Sequence, residues 1–104
     1  MSDLDDSPPP TVPEGALLRE LPIINRKGLH ARATAKFVNC VDQFSAEVTV
    51  TRCGETVGGT SIMGILTLGA AQGTSIYVTA AGEDAQQAMD ALTALVADRF
   101  GEED

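Results

Sequence analysis

The sequence predicts a two-layer α+β sandwich, in which helices stack on one buried face of a four-stranded sheet. Segments that alternate apolar and polar residues with a period of two are interleaved with segments that repeat at helical spacing. Their order is strand, helix, two strands, short helix, strand, long helix. A chain of 104 residues supplies one core and not two, and no internal repeat divides it.

Residues 1–16 read as a disordered acidic, proline-rich extension. Four of the five prolines lie there with Asp3, Asp5 and Asp6, and large apolar residues are scarce. Such a segment cannot bury enough surface to offset its ordering entropy. The domain proper is expected over 17–100, followed by a solvated acidic tail at 101–104.

Residues 17–24 read as a strand with Leu17, Leu21 and Ile23 on one face. Pro22 cannot donate to a ladder, so this strand belongs at an edge or turns that position to solvent. Residues 25–28 lead the chain out of the sheet. Over 31–42 the period becomes helical: Thr34, Phe37, Val38 and Val41 form the buried side, with Cys40 beside them. Arg32, Lys36, Asn39 and Gln43 occupy the other side.

Residues 45–52 alternate again, Cys53 and Gly54 turn, and 55–57 return as the second arm of a hairpin. Gly58 and Gly59 break that strand. Thr60 or Ser61 caps a short helix running to Leu68. This helix is apolar nearly all round, so Met63 and Leu66 are candidates either for an exposed docking patch or for the core. Residues 74–80 form the last strand, with Ile76, Val78 and Ala80 inward. Gly82, Glu83 and Asp84 then open a helix whose stripe is Ala85, Ala88, Met89, Leu92, Leu95 and Val96. Phe100 is expected at its end and Gly101 as its stop.

A net charge of −8 argues against binding nucleic acid or an anionic membrane through a broad surface. Phe37, Phe44 and Phe100 fall on helical core faces or at helix ends, and Tyr77 stands alone, so no platform for stacking bases is expected. No apolar run approaches the ~20 residues of a membrane span, and acidic residues follow Met1 where a leader would be basic. A soluble, cytoplasmic protein is expected. Cys40 and Cys53 form no CxxC pair, and one histidine is too few for a structural metal site, so two free thiols and no metal are expected. There is no G-x-x-x-x-G-K-[ST] loop to hold a nucleotide, and no cofactor is expected.

The chemistry is expected in Asn25-Arg26-Lys27-Gly28-Leu29-His30-Ala31-Arg32-Ala33. This stretch holds the only histidine and three of the seven basic residues. His30 lies where a helix begins, beside first-turn N–H groups that lack intrahelical partners and two residues before a guanidinium. That arrangement suits a small anion, with phosphate the obvious candidate. The helix dipole, worth ~0.3–1 kcal/mol at an exposed end, and Arg32 both favour a neutral, nucleophilic ring. Once attached, a phosphoryl group of about −1.5 to −2 charge would be stabilised by the same groups.

Gly28-Leu29-His30-Ala31-Arg32, followed by Thr60-Ser61-Ile62-Met63-Gly64, closely resembles the HPr family, the histidine phosphocarriers of the bacterial phosphotransferase system. The resemblance covers 17–100 in the same element order. It implies an HPr-like βαββαβα open-faced sandwich, with an antiparallel sheet of order 1-4-2-3 covered on one face by three helices and Pro22 on an edge strand. It implies that His30 takes a phosphoryl group from enzyme I on Nδ1, as a pros-phosphohistidine, and passes it to an EIIA-type protein. Arg32 would assist, with the backbone of Ala31 and Arg32 stabilising the phosphate. Ser61 matches the serine that HPr kinase/phosphorylase modifies in lineages having that enzyme, and Met63 and Leu66 match the docking surface. The protein would be a monomeric, stoichiometric carrier rather than an independently turning-over enzyme.

Three features depart from the family pattern. Ala33 replaces the proline usual after the arginine; alanine is a good helix former and keeps its N–H, so no loss of transfer chemistry is expected. The acidic extension lies outside the minimal domain. The ending Phe100-Gly101-Glu102-Glu103-Asp104 is nearer the nitrogen-related branch, NPr, whereas Ile62-Met63-Gly64 is HPr-like, so sugar uptake and nitrogen-related signalling both stay open. The competing reading is a regulatory protein-binding module acting mainly through Ser61 phosphorylation; the pairing of His30 with Arg32 argues against it.

Overall fold

The computed structural model describes residues 9–12 and 14–102. Most of the expected disordered extension (1–8 and 13), and Glu103 and Asp104 of the acidic tail, lie outside the described residues. The elements are β1 (Leu17–Pro22), α1 (Ala31–Val41), β2 (Glu47–Arg52), β3 (Glu55–Gly58), α2 (Ile62–Thr67), β4 (Ser75–Ala81) and α3 (Ala85–Ala97). A 3-10 turn at Arg99–Gly101 follows α3.

The strands form one antiparallel sheet in the order β1-β4-β2-β3, which places Pro22 on an edge strand as its missing N–H requires. Pairing Leu21 with Ile76, Val48 with Ala80 and Val50 with Val78 brings the inward residues onto one face. Phe37 and Val41 of α1, Ile65 of α2, and Met89, Leu92 and Val96 of α3 are buried with them in a single core. On the other face Thr49 pairs with Thr79 across β2 and β4, and the Thr51 and Thr56 hydroxyls bond at 2.6 Å. Cross-strand pairs contribute about 0.2–1 kcal/mol each, against ~1.5–3 kcal/mol for each large apolar side chain buried, so the apolar face decides the register.

Several element ends differ from expectation, each for a local reason. The ladder of β1 stops at Pro22 rather than Ile24. Ile23 instead clamps the chain before β4, its N–H donating to Thr74 O (2.8 Å) and its carbonyl accepting from Gly73 N–H (2.9 Å). β2 begins at Glu47, two residues late, because Ser45 is bound to the start of α3. Its N–H donates to the Asp84 carboxylate (2.8 Å) and its carbonyl accepts from Asp84 N–H (3.0 Å). Asp84 is consequently the N-cap residue of α3 without capping it by its side chain.

The hairpin turn at Cys53 and Gly54 has both residues at positive φ (52° and 81°), as a two-residue connection matched to the strand twist needs. Cys40 and Cys53 form no disulfide; Cys53 is exposed and Cys40 partly buried, where burial pushes its thiol up. The largest correction concerns Phe100. The helix ends at Ala97, and Arg99, Phe100 and Gly101 all take left-handed backbone conformations (φ 57°, 55° and 77°), turning the chain back towards α1 with the Phe100 ring buried. Among the described residues no helix is long and apolar enough to cross a membrane.

Candidate functional site

The loop from β1 to α1 is fixed before the histidine is reached. Asn25 is fully buried, and Gly28 N–H donates to its carbonyl (3.1 Å) while its side-chain Nδ2 donates to Gly28 O (2.8 Å). Gly28 has φ of +67°, and a Cβ there would lie 2.6 Å from Ala70 O and 2.9 Å from Ala71 Cα. Only glycine fits a left-handed backbone pressed this closely on another chain segment. Leu29 is buried and its N–H donates to the same Ala70 carbonyl at 2.8 Å. The chain therefore arrives at His30 already held.

His30 is the N-cap residue of α1, with extended backbone (φ −76°, ψ −178°) and no side-chain cap bond. Its carbonyl takes the first helical bond, from Thr34 N–H at 2.8 Å, so the ring is not spent on capping. The side chain is 28% exposed, and Nε2 hydrogen-bonds Oε2 of Glu102. The other carboxylate oxygen, Oε1, accepts from Asn25 Nδ2 at 3.1 Å. Asn25 Nδ2 thus faces two acceptors, Gly28 O and Glu102, which fixes which way its amide points. The bond from His30 is the main reason the Glu102 carboxyl is held below its ordinary range; Asn25 and the charge of Lys27 add to it, and burial opposes.

Glu102 belongs to the tail expected to be solvated, and it is instead packed at the histidine. Two contacts bring it there: Phe100 is buried, and Lys36 Nζ from α1 donates to Phe100 O at 2.6 Å. Asn25 lay within the expected stretch but with no role of its own, and Glu102 did not stand out in the sequence as a site residue. The one available signal was a large aromatic at position 100, just before the acidic end.

The other expected residues divide. Ala31 and Arg32 are exposed in the first turn of α1, and Arg32 makes no hydrogen bond or ion pair among the described residues. Of the two candidate caps for α2 the residue is Ser61, whose Oγ accepts from Gly64 N–H at 3.1 Å. Met63 is 71% exposed, whereas Leu66 is half-buried, because α2 packs on α1 and β3 through Ile65 and the chain continues inward at Leu68. The exposed apolar side chains of α2 are Ile62 and Met63, with Leu66 half-buried on the same helix.

A family profile described as the PTS HPr component phosphorylation site matches residues 18–98. The chain belongs to the HPr family. The phosphocarrier protein HPr of Cupriavidus necator is 46% identical over 86 residues, covering 83% of this chain and 97% of that protein. HPr of Neisseria meningitidis serogroup B is 48% identical over 86 residues with the same coverage. A multiphosphoryl transfer protein of Haemophilus influenzae matches at 41% identity over 92 residues, 86% of this chain but 18% of that larger protein. Among solved structures, HPr-C-His from Thermoanaerobacter tengcongensis superposes with a TM-score of 0.80 at 39% identity, covering 84% of this chain and 98% of the other. HPr from Bacillus anthracis superposes with a TM-score of 0.75 at 34% identity, covering 78% and 96%. As an HPr, the protein is a phosphocarrier of the phosphotransferase system.

Proposed function

We propose that His30 is the residue on which this HPr carries its phosphoryl group, bonded at Nδ1. The observation that supports this most is a ring at the start of α1 that is partly exposed, not used as a cap and, among the described residues, hydrogen-bonded only through Nε2. Nδ1 is then the nitrogen available to attack. The phosphorus–nitrogen bond forms at Nδ1 as the donor's bond to the phosphoryl group breaks, and the electron pair of that bond stays with the donor. Phosphoryl transfer of this kind depends mainly on positioning and electrostatic stabilisation. The first-turn N–H groups of Ala31 and Arg32, with the Arg32 guanidinium, suit the phosphoryl oxygens. Because the site is open to solvent, a group held there can move on.

The donor in this reading is phosphorylated enzyme I and the acceptor an EIIA-type protein, with Ile62 and Met63 offering the apolar contact. Sugar uptake or nitrogen-related signalling follows from which acceptor is served. Ser61 is exposed, and its hydroxyl has the ordinary part of an N-cap. No observation at that position favours a module working through Ser61 alone.

Incubation with enzyme I and labelled phosphoenolpyruvate tests the assignment. Acid-labile, alkali-stable label is expected on the wild-type chain and none on His30→Ala. Label of that kind persisting on the variant would sink the proposal.

A further inference from the structure

We infer that Glu102 is a positioning residue that holds the His30 imidazole in its Nε2–H tautomer, leaving the lone pair on Nδ1. The inference rests on the reading of His30 as the phosphoryl acceptor and deepens it. A neutral imidazole has one nitrogen that donates and one that accepts, and an ionised carboxylate can only accept. Hydrogen bonding between Nε2 and the Glu102 carboxylate therefore requires the proton on Nε2. With that proton fixed, the other nitrogen must present its lone pair outward.

The carboxylate is itself oriented. Oε1 is bound by Asn25 Nδ2, and Asn25 is buried and tied to Gly28 O, so Oε2 is aimed at the ring by a group that cannot easily turn. Delivering Glu102 to this place has an energetic cost. Arg99 and Phe100 are both non-glycine residues in left-handed backbone, which L side chains disfavour. Burial of the Phe100 ring and the Lys36 bond to its carbonyl offset that cost and hold the turn. Strained backbone that persists beside a reactive group points to a use for what it positions.

The consequence for the transfer is specific. When Nδ1 bonds to phosphorus, the ring acquires positive charge while its proton stays on Nε2. Glu102 faces that charge and stabilises it, as a carboxylate does behind a histidine that works as a base or nucleophile. On transfer to the acceptor the phosphorus–nitrogen bond breaks, its electron pair returns to Nδ1, and the ring is again neutral with the same tautomer.

The test uses the full chain with 15N-labelled histidine. Long-range 1H–15N correlation, recorded above the titration of the imidazole, reads the tautomer directly, and the initial rate of labelling by enzyme I reads the chemistry. Wild type is expected as the Nε2–H form. Glu102→Ala is expected to show mixed tautomers and a labelling rate about 10-fold lower, the scale of one charge-assisted hydrogen bond. The near-isosteric Glu102→Gln keeps an acceptor oxygen and is expected to retain the tautomer with a smaller loss of rate. An unchanged Nε2–H tautomer in Glu102→Ala would overturn the inference whatever its rate, because Glu102 would then only tie down the chain end. A rate within about two-fold of wild type would overturn it too. Neither result touches the reading of His30 itself, which fails only if His30→Ala still accepts label.

Discussion

Two influences of opposite sign meet at the His30 ring. The start of α1 is positive, and the Glu102 carboxylate is negative. A helix terminus is worth ~0.3–1 kcal/mol at the surface and a hydrogen bond to a charged group ~1.5–3 kcal/mol. The carboxylate therefore governs how the ring stands, and the helix start is left to act on what binds at Nδ1. The pH dependence follows from Glu102. A carboxyl held below its unfolded value, about 4.3 for glutamate, contributes stability that is fully present above that value. The contribution is lost as pH falls through the lower, folded value. The stability difference between wild type and Glu102→Gln, from denaturant unfolding, is expected to be constant near neutrality and to shrink at pH ~3. The same difference at both pH values would mean that Glu102 titrates as it does in the unfolded chain. Nothing at the level of residue types announced this contact. Glutamate near an acidic chain end reads as solvated, and arginine and phenylalanine do not advertise left-handed backbone as glycine does.

At the scale of elements, what periodicity can show was legible. Alternation located the hairpin and β4, and helical spacing located α1 and its buried face, Thr34, Phe37, Val38 and Val41. The ends of elements were not legible, because they are settled by bonds to distant residues: Ser45 by Asp84, Ile23 by Gly73 and Thr74. For α2 the six-residue length left the facing open. On a helix this short, nearly uniform apolarity does not say which side is inward, and only packing through Ile65 puts Met63 out and Leu66 half in. The junction of β1 with α1 is the element most exposed to a single change. Gly28→Ala adds a Cβ 2.6 Å from Ala70 O on a left-handed backbone, so the loop must shift and His30 with it. A loss of more than about 1 kcal/mol in denaturant unfolding is expected, with slower labelling by enzyme I. Wild-type stability in that variant would show that the loop is looser than its contacts indicate.

The whole molecule joins two distant parts of its chain at one histidine. The four-stranded sheet fixes where α1 starts, and α3 with its left-handed turn brings position 102 back to position 30. The first of these could be anticipated, since four strands with one apolar face and helices between them read as a two-layer sandwich, and the HPr resemblance implied the strand order that puts Pro22 at an edge. The second could not, because it depends on a ring burying itself past the end of a helix. The acidic net charge of −8 and the basic spot around His30 fit a protein whose contacts are local.

The central claim is tested most directly on the phosphorylated molecule. With histidine 15N-labelled and enzyme I and phosphoenolpyruvate supplied, phosphorus–nitrogen coupling identifies the nitrogen that carries the phosphoryl group. The account predicts coupling to Nδ1 of His30, with the proton still on Nε2 facing Glu102. Coupling to Nε2, or a phosphoryl group on any other residue, would contradict it.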